Sequence, residues 1–195
     1  MKGDRRRDRL SSLIIAARRG DYTLTERDAA LLLDAQFALA TSPEPFDSLT
    51  YWTMWGLLPY SPPHQPLRKL MMDTLADRRY EGRSRGAAIT YLLSAYPEER
   101  AALIDAHRDD EAPEVLDAIA HALAPTDRRE ALRMWERVLA SPELSHELAE
   151  TTPFNLAYVA DELDKLRFEQ MDRDGGGGTL WGIAAALIEP RDVTG

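Results

Sequence analysis

The chain has 195 residues, 44% of them apolar and 29% charged, with a formal net charge of −9 and no cysteine. That length suits one domain with a hydrophobic core of its own, and the proportions are ordinary for a globular chain. Disulfides, thiolate metal sites and cysteine nucleophiles are excluded, and so acidic a balance repels nucleic acid over most of a surface.

The charge is unevenly spread. Residues 1–19 carry +5, residues 68–85 carry +3, and the segments 98–117 and 141–174 carry −6 each. There is no run of about 18 apolar residues, so no membrane span is expected. The opening "MKGDRRRDRLSSLIIAARRG" imitates a secretory leader, but its apolar run is short and arginines follow at once. A cytoplasmic location is the default expectation.

Apolar residues recur at three- and four-residue spacing nearly throughout, and no period-two run predicts a strand. Leu10, Leu13, Ile14 and Ala17 make the stripe of a first helix ending at Gly20. "TERD" at 25–28 reads as a capping box, with Thr25 and Asp28 opening a second helix that stops before Pro43. Residues 48–66, "SLTYWTMWGLLPYSPPHQP", hold two of the four tryptophans. On a helical wheel their apolar arc is far wider than the ~100° stripe of a surface helix. This predicts a helix serving chiefly as core, with Tyr51, Trp52 and Trp55 as an alternative aromatic surface for a partner.

From residue 66 the punctuation becomes regular. Helices over 66–80 and 83–96 form one pair, 97–107 and 112–124 the next, 126–140 and 141–150 a third, and 153–171 opens a fourth. The starts at Pro66, Pro97, Thr126 and Pro153 lie 31, 29 and 27 residues apart. A period near 30 built of helix pairs is the mark of an α-solenoid, in which each pair buries its apolar face against its neighbours. The expectation is a single all-α domain over 1–195 with ten or eleven helices. N-terminal helices occupy 1–65 and helix-pair repeats 66–171. A glycine-rich joint follows at 172–178, then a capping helix at 179–189.

Several stretches suggest chemistry and then fall short of it. "HELAE" (146–150) is half of a zinc-protease helix motif, with Glu150 where the second histidine belongs. "ELSH" (143–146) is a single copy of a di-iron motif that needs two. Asp117 and His121 stand one helical turn apart on a face with Glu114, which suits a general base, yet no nucleophile is marked and a solvated pair is expected. "DRDGGGGT" (172–179) lacks both the glutamate of a calcium loop and the lysine of a phosphate loop. It reads as a flexible joint, after which Thr179 caps the last helix. No catalytic residue, metal or cofactor is expected.

"DEAPEVLDAIAHAL" (110–123) resembles the second helix of a HEAT-type repeat, through Asp110, Pro113, Val115, Ala118, Ala122 and Leu123. The resemblance, to the short HEAT-like class, is clear over 97–124, loose over 66–95 and 126–150, and absent from 1–65. Leu116 stands where that family usually has an arginine. The resemblance implies a helix-pair scaffold that presents surfaces to partners and has no shared chemistry.

The function expected is therefore a protein-interaction module with a basic protein partner, of the kind seen in small acidic inhibitors and immunity proteins. Asp109, Asp110, Glu111, Glu114 and Asp117 are the expected contacts, since a loop and a helix start bring them to one edge. Nucleic acid is the alternative partner. Helical-repeat proteins of the alkylpurine DNA glycosylase type resemble this chain in offering a tryptophan-lined basic groove, here Trp52, Trp55 and Arg68 to Arg85. The opening residues are also superficially similar to the tetracycline-repressor family, but "LLLDAQFALATSPEPF" supplies almost no polar side chain for base edges.

Overall fold

The computed structural model describes residues 63–188. The first two expected helices and the aromatic segment with Tyr51, Trp52 and Trp55 lie outside the described residues. Among those described there are eight α-helices, one 3₁₀ turn and no strand, so the chain is all-α here. Its contacts divide it into two compact units, Met1–Leu103 and Ile104–Gly195, each taken by itself below.

In the first unit α1 (Gln65–Ala76) packs on α2 (Gly82–Ala95). Leu67, Met71 and Leu75, spaced by four, bury one stripe of α1, while α2 is buried over most of its circumference. The start of α1 is pinned by aromatic hydroxyls. The His64 backbone N–H donates to the Tyr91 hydroxyl at 3.1 Å and the Tyr96 hydroxyl at 2.9 Å, and His64 Nδ1 caps the helix by accepting from the Leu67 N–H at 3.3 Å. The other end of α1 receives Arg85, whose buried Nε donates to the Leu75 carbonyl at 3.1 Å. Helix termini leave backbone groups without partners, and these side chains supply them. A 3₁₀ turn at Pro97–Glu99 leads into α3 (Arg100–His107).

The second unit holds α4 (Pro113–Leu123), α5 (Arg128–Leu139), α6 (His146–Val159), α7 (Glu162–Asp174) and α8 (Leu180–Leu187). α4 packs on α5 and α5 on α6; α6 then packs on α8, and α8 on α7. α4 is the most enclosed element, with every residue from Ala112 to Ala120 buried. α5 alternates a charged face with a buried one made by Ala131, Leu132, Met134, Trp135, Val138 and Leu139.

Two sequence expectations fail in this unit. Pro153 does not open a helix; it lies buried inside α6, which begins at His146 with Ser145 as its cap. Proline removes one intrahelical donor and usually ends or kinks a helix. Here Leu148, Thr152, Leu156 and Val159 on both sides of it are buried, and that packing holds the helix together. The break falls later, at Ala160–Asp161, where Asp161 and Asp164 form a reciprocal capping box for α7.

The glycine run is likewise an ordered turn rather than a loose joint. Gly176, Gly177 and Gly178 have φ of 90°, 81° and 74°, values that L side chains seldom adopt. The Gly177 N–H donates to the Asp172 carbonyl at 2.8 Å. Thr179 occupies the cap position of α8, but the capping oxygen is not its own. Asp172 Oδ1 accepts from both the Thr179 N–H and its hydroxyl at 2.7 Å. A Cβ at Gly182 would lie 2.7 Å from the Asp172 carboxylate, so glycine there permits the approach. α8 buries Ala184 and Ala185 and sets Trp181 against Phe168 of α7 at 5.5 Å, while Ile183 remains exposed.

Candidate functional site

The five carboxylates expected at a partner-binding edge do not share one environment. Asp109 and Glu111 are exposed, whereas Asp110, Glu114 and Asp117 are buried. The physical reason is that α4 carries its acidic face inward. Asp110 closes the turn before α4 by accepting the Ala112 N–H at 3.0 Å, and His107 Nδ1 lies 3.8 Å from its other oxygen. The Arg137 guanidinium reaches the Asp110 carbonyl at 3.3 Å from α5. Of the five, Asp109 and Glu111 alone reach the surface, with Asp109 3.9 Å from the Arg137 guanidinium and Glu111 engaged within the chain.

Asp117 is instead the centre of a polar cluster drawn from three helices. Its Oδ1 accepts the indole N–H of Trp135 from α5 at 2.8 Å. His121 Nε2, one turn along α4, lies 3.6 Å from Oδ2, and the Asn155 Nδ2 of α6 lies 3.4 Å from that same Nε2. The imidazole stands edge-on to the Trp135 ring at 5.1 Å. Burial pushes the Asp117 carboxyl up from the ordinary carboxylate range, against the opposing pull of His121 and of hydrogen bonds from Trp135 and Asn155. His121 itself is half exposed. The cluster is thus closed at the carboxylate and open at the imidazole. The sequence spacing finds the Asp117–His121 pair but not its burial, and nothing local marks Trp135 or Asn155, which arrive from 18 and 34 residues away.

Beside this cluster, α6 turns large apolar side chains to solvent. Phe154 and Tyr158, one turn apart, are 59% and 79% exposed, and Leu163 and Leu166 on α7 are 73% and 60% exposed. Single apolar residues on a surface are ordinary, and these four are large side chains left in water, two on each helix. Acidic groups accompany them. Glu150 stands one turn before Phe154, and Glu162 and Glu169 flank the α7 pair; Glu162 and Glu169 make no ion pair among the described residues. Two other acids of the segment are held within the unit. Asp161 and Asp164 accept from Arg129 at 2.8 and 3.0 Å, and Arg167 bridges Asp164 to Glu136.

The other sequence candidates are accounted for locally. His146 Nε2 lies 3.1 Å from Glu150 on an exposed face, and Glu143 falls outside α6, so neither metal motif is assembled. No group of three or more metal-ligating side chains occurs among the described residues. Within the basic stretch Arg68 pairs with Glu99, Lys69 with Asp73 and Arg79 with Asp77, each at 2.7 Å. Arg78 and Arg83 are engaged as well. None of the described helices is long and apolar enough to cross a membrane.

No protein-family model, no curated protein and no solved structure matches the chain.

Proposed function

We propose that the chain is a non-catalytic protein-interaction module, a HEAT-like stack of helix pairs whose α6–α7 face receives a basic protein partner. The observation that carries this reading is the exposure of Phe154, Tyr158, Leu163 and Leu166 within a segment of net charge −6. Aromatic and aliphatic anchors supply most of the energy of an interface, and a surrounding field of one sign selects the partner and speeds its approach. The stacked architecture draws support from α4, α5 and α6, each of which packs on the next in sequence. An inhibitor of a basic enzyme or toxin is the specific role that best suits this charge and size.

Affinity capture from the source cells tests the reading, with the wild type and a Phe154→Ser/Tyr158→Ser variant as paired baits. The wild type retains a basic protein that high salt weakens, and the variant retains at least tenfold less. Equal retention by both baits removes this face from the account. The nucleic-acid alternative is tested by a gel shift at low salt. Since phosphate binding needs uncommitted cations and those of residues 68–85 are engaged within the chain, no shift is expected at micromolar protein.

A further inference from the structure

We propose that α7 is a strap held to α5 by charge, and that this clasp fixes where Leu163 and Leu166 stand relative to Phe154 and Tyr158. Helix packing in the second unit runs from α5 to α6, from α6 to α8 and from α8 to α7. Five charged side chains make the return from α7 to α5. Arg129, near the start of α5, donates to Asp161 at 2.8 Å and to Asp164 at 3.0 Å. Arg167 of α7 donates to Asp164 at 3.1 Å and to Glu136 of α5 at 3.1 Å. Arg129 and Glu136 stand two turns apart, about 10 Å along α5. The clasp therefore grips at two heights and resists both sliding and pivoting.

Apolar burial gives α7 little other hold. Of its thirteen residues Asp164 and Phe168 are buried, whereas α5 buries six of twelve. Phe168 faces Trp181, and Lys165 Nζ donates to the Ile188 carbonyl at 3.2 Å, so both of these ties run to α8 and its C-cap. Isolated ion pairs on a surface contribute little, but the shared acceptor here is not on the surface. The Asp164 side chain is 7% exposed, and Arg129 and Arg167 are its cations. A buried carboxylate stripped of its cations is strongly destabilising, and Asp164 regains water by moving away from α5 with the helix that carries it. Leu163 and Leu166 flank Asp164 on that helix and move with it. The consequence for a partner, a mismatch between the anchors of α7 and those of α6, rests on the reading of the α6–α7 face given above; the strap itself does not.

The chain has no cysteine, so pairs of spin labels can be placed uniquely. Arg133→Cys with Gln170→Cys, both exposed, reports the separation of α5 from α7; Thr151→Cys with Ala186→Cys, also exposed, reports that of α6 from α8. Electron–electron double resonance on the full chain reads both. In Arg129→Met/Arg167→Met the first separation lengthens by at least about 3 Å, the width of the water that must reach Asp164, and the second is unchanged. In Arg129→Lys/Arg167→Lys, which keeps the charges, the first separation stays at its wild-type value. A wild-type separation in the methionine variant, an equal shift between α6 and α8, or a shift in the lysine variant as large as in the methionine variant overturns the strap. Those outcomes leave the binding face standing. Equal capture by the wild type and the Phe154→Ser/Tyr158→Ser variant removes the face and leaves the strap.

Discussion

In sequence, the basic stretch of the first unit and the acidic segment of the second carry opposite net charge, +3 and −6, and folding disposes of the two differently. Between residues 68 and 85 the cations are paired locally or turned inward, Arg85 reaching the Leu75 carbonyl, and Leu67, Met71 and Leu75 are buried. Between 141 and 174 some carboxylates are bridged by arginines, yet Glu162 and Glu169 are not, and four large apolar side chains remain in water. A count of charges therefore does not define a surface. What defines it is which charges are left after the helices have paired their own, and whether apolar groups are left beside them.

The same contrast holds for the polar groups inside each unit. The Tyr91 and Tyr96 hydroxyls serve a backbone N–H, whereas Asp117 brings a carboxyl into a buried site. The largest effect on this comparison comes from Trp135→Ala. It empties a fully buried indole and strips Asp117 of a donor, and should cost about 3–5 kcal/mol in urea denaturation. Gly182→Ala sets a methyl against the Asp172 carboxylate and should cost about 1–3 kcal/mol, lowering the thermal midpoint of the second unit.

Replacing Asp117 by Asn sharpens the contrast through pH. A carboxyl raised in the folded state binds its proton more tightly there than in the unfolded chain. Its contribution is full below the ordinary value of about 4 and is lost as pH rises above it. Wild-type stability should therefore decline through this group as pH rises above about 4, while Asp117→Asn, which keeps an oxygen for the indole, should decline less. In the first unit burial pushes the Tyr91 phenol up. By the same sign its contribution persists to about pH 10 and fails only beyond. Tyr91→Phe should cost about 1 kcal/mol with no change of slope between pH 5 and 8. The smallest effect belongs to Thr152→Val. The Thr152 hydroxyl is buried without a hydrogen-bond partner among the described residues, so removing it should be neutral or stabilising by about 1 kcal/mol.

How much of the fold is legible in the sequence depends on range. Helix positions follow from apolar spacing, and α2 and α4 fall within a residue or so of their expected spans. Pro153 misleads because proline is a local signal, and the packing that carries α6 through it is not. The Asp161-x-x-Asp164 box that opens α7 is equally local, and it marks the break that the proline does not. "DRDGGGGT" has the composition of a loose joint, but its order depends on the Asp172 carboxylate meeting Thr179 across the turn. The site is the least legible part, since solvent exposure decides which carboxylates and which aromatics count, and α4 is buried from Ala112 to Ala120. An acidic run on a helix start reads as solvated until the helix is known to be buried there.

The most direct measurement of the central claim is the affinity of the captured basic partner for Phe154→Ser/Tyr158→Ser/Leu163→Ser/Leu166→Ser, set against Arg78→Glu/Arg79→Glu in the first unit. Loss of two or more anchors should weaken binding by at least about 100-fold, with the arginine variant unchanged. Full affinity in the serine variant, or a comparable loss in the arginine variant, contradicts the assignment of the binding face to α6 and α7.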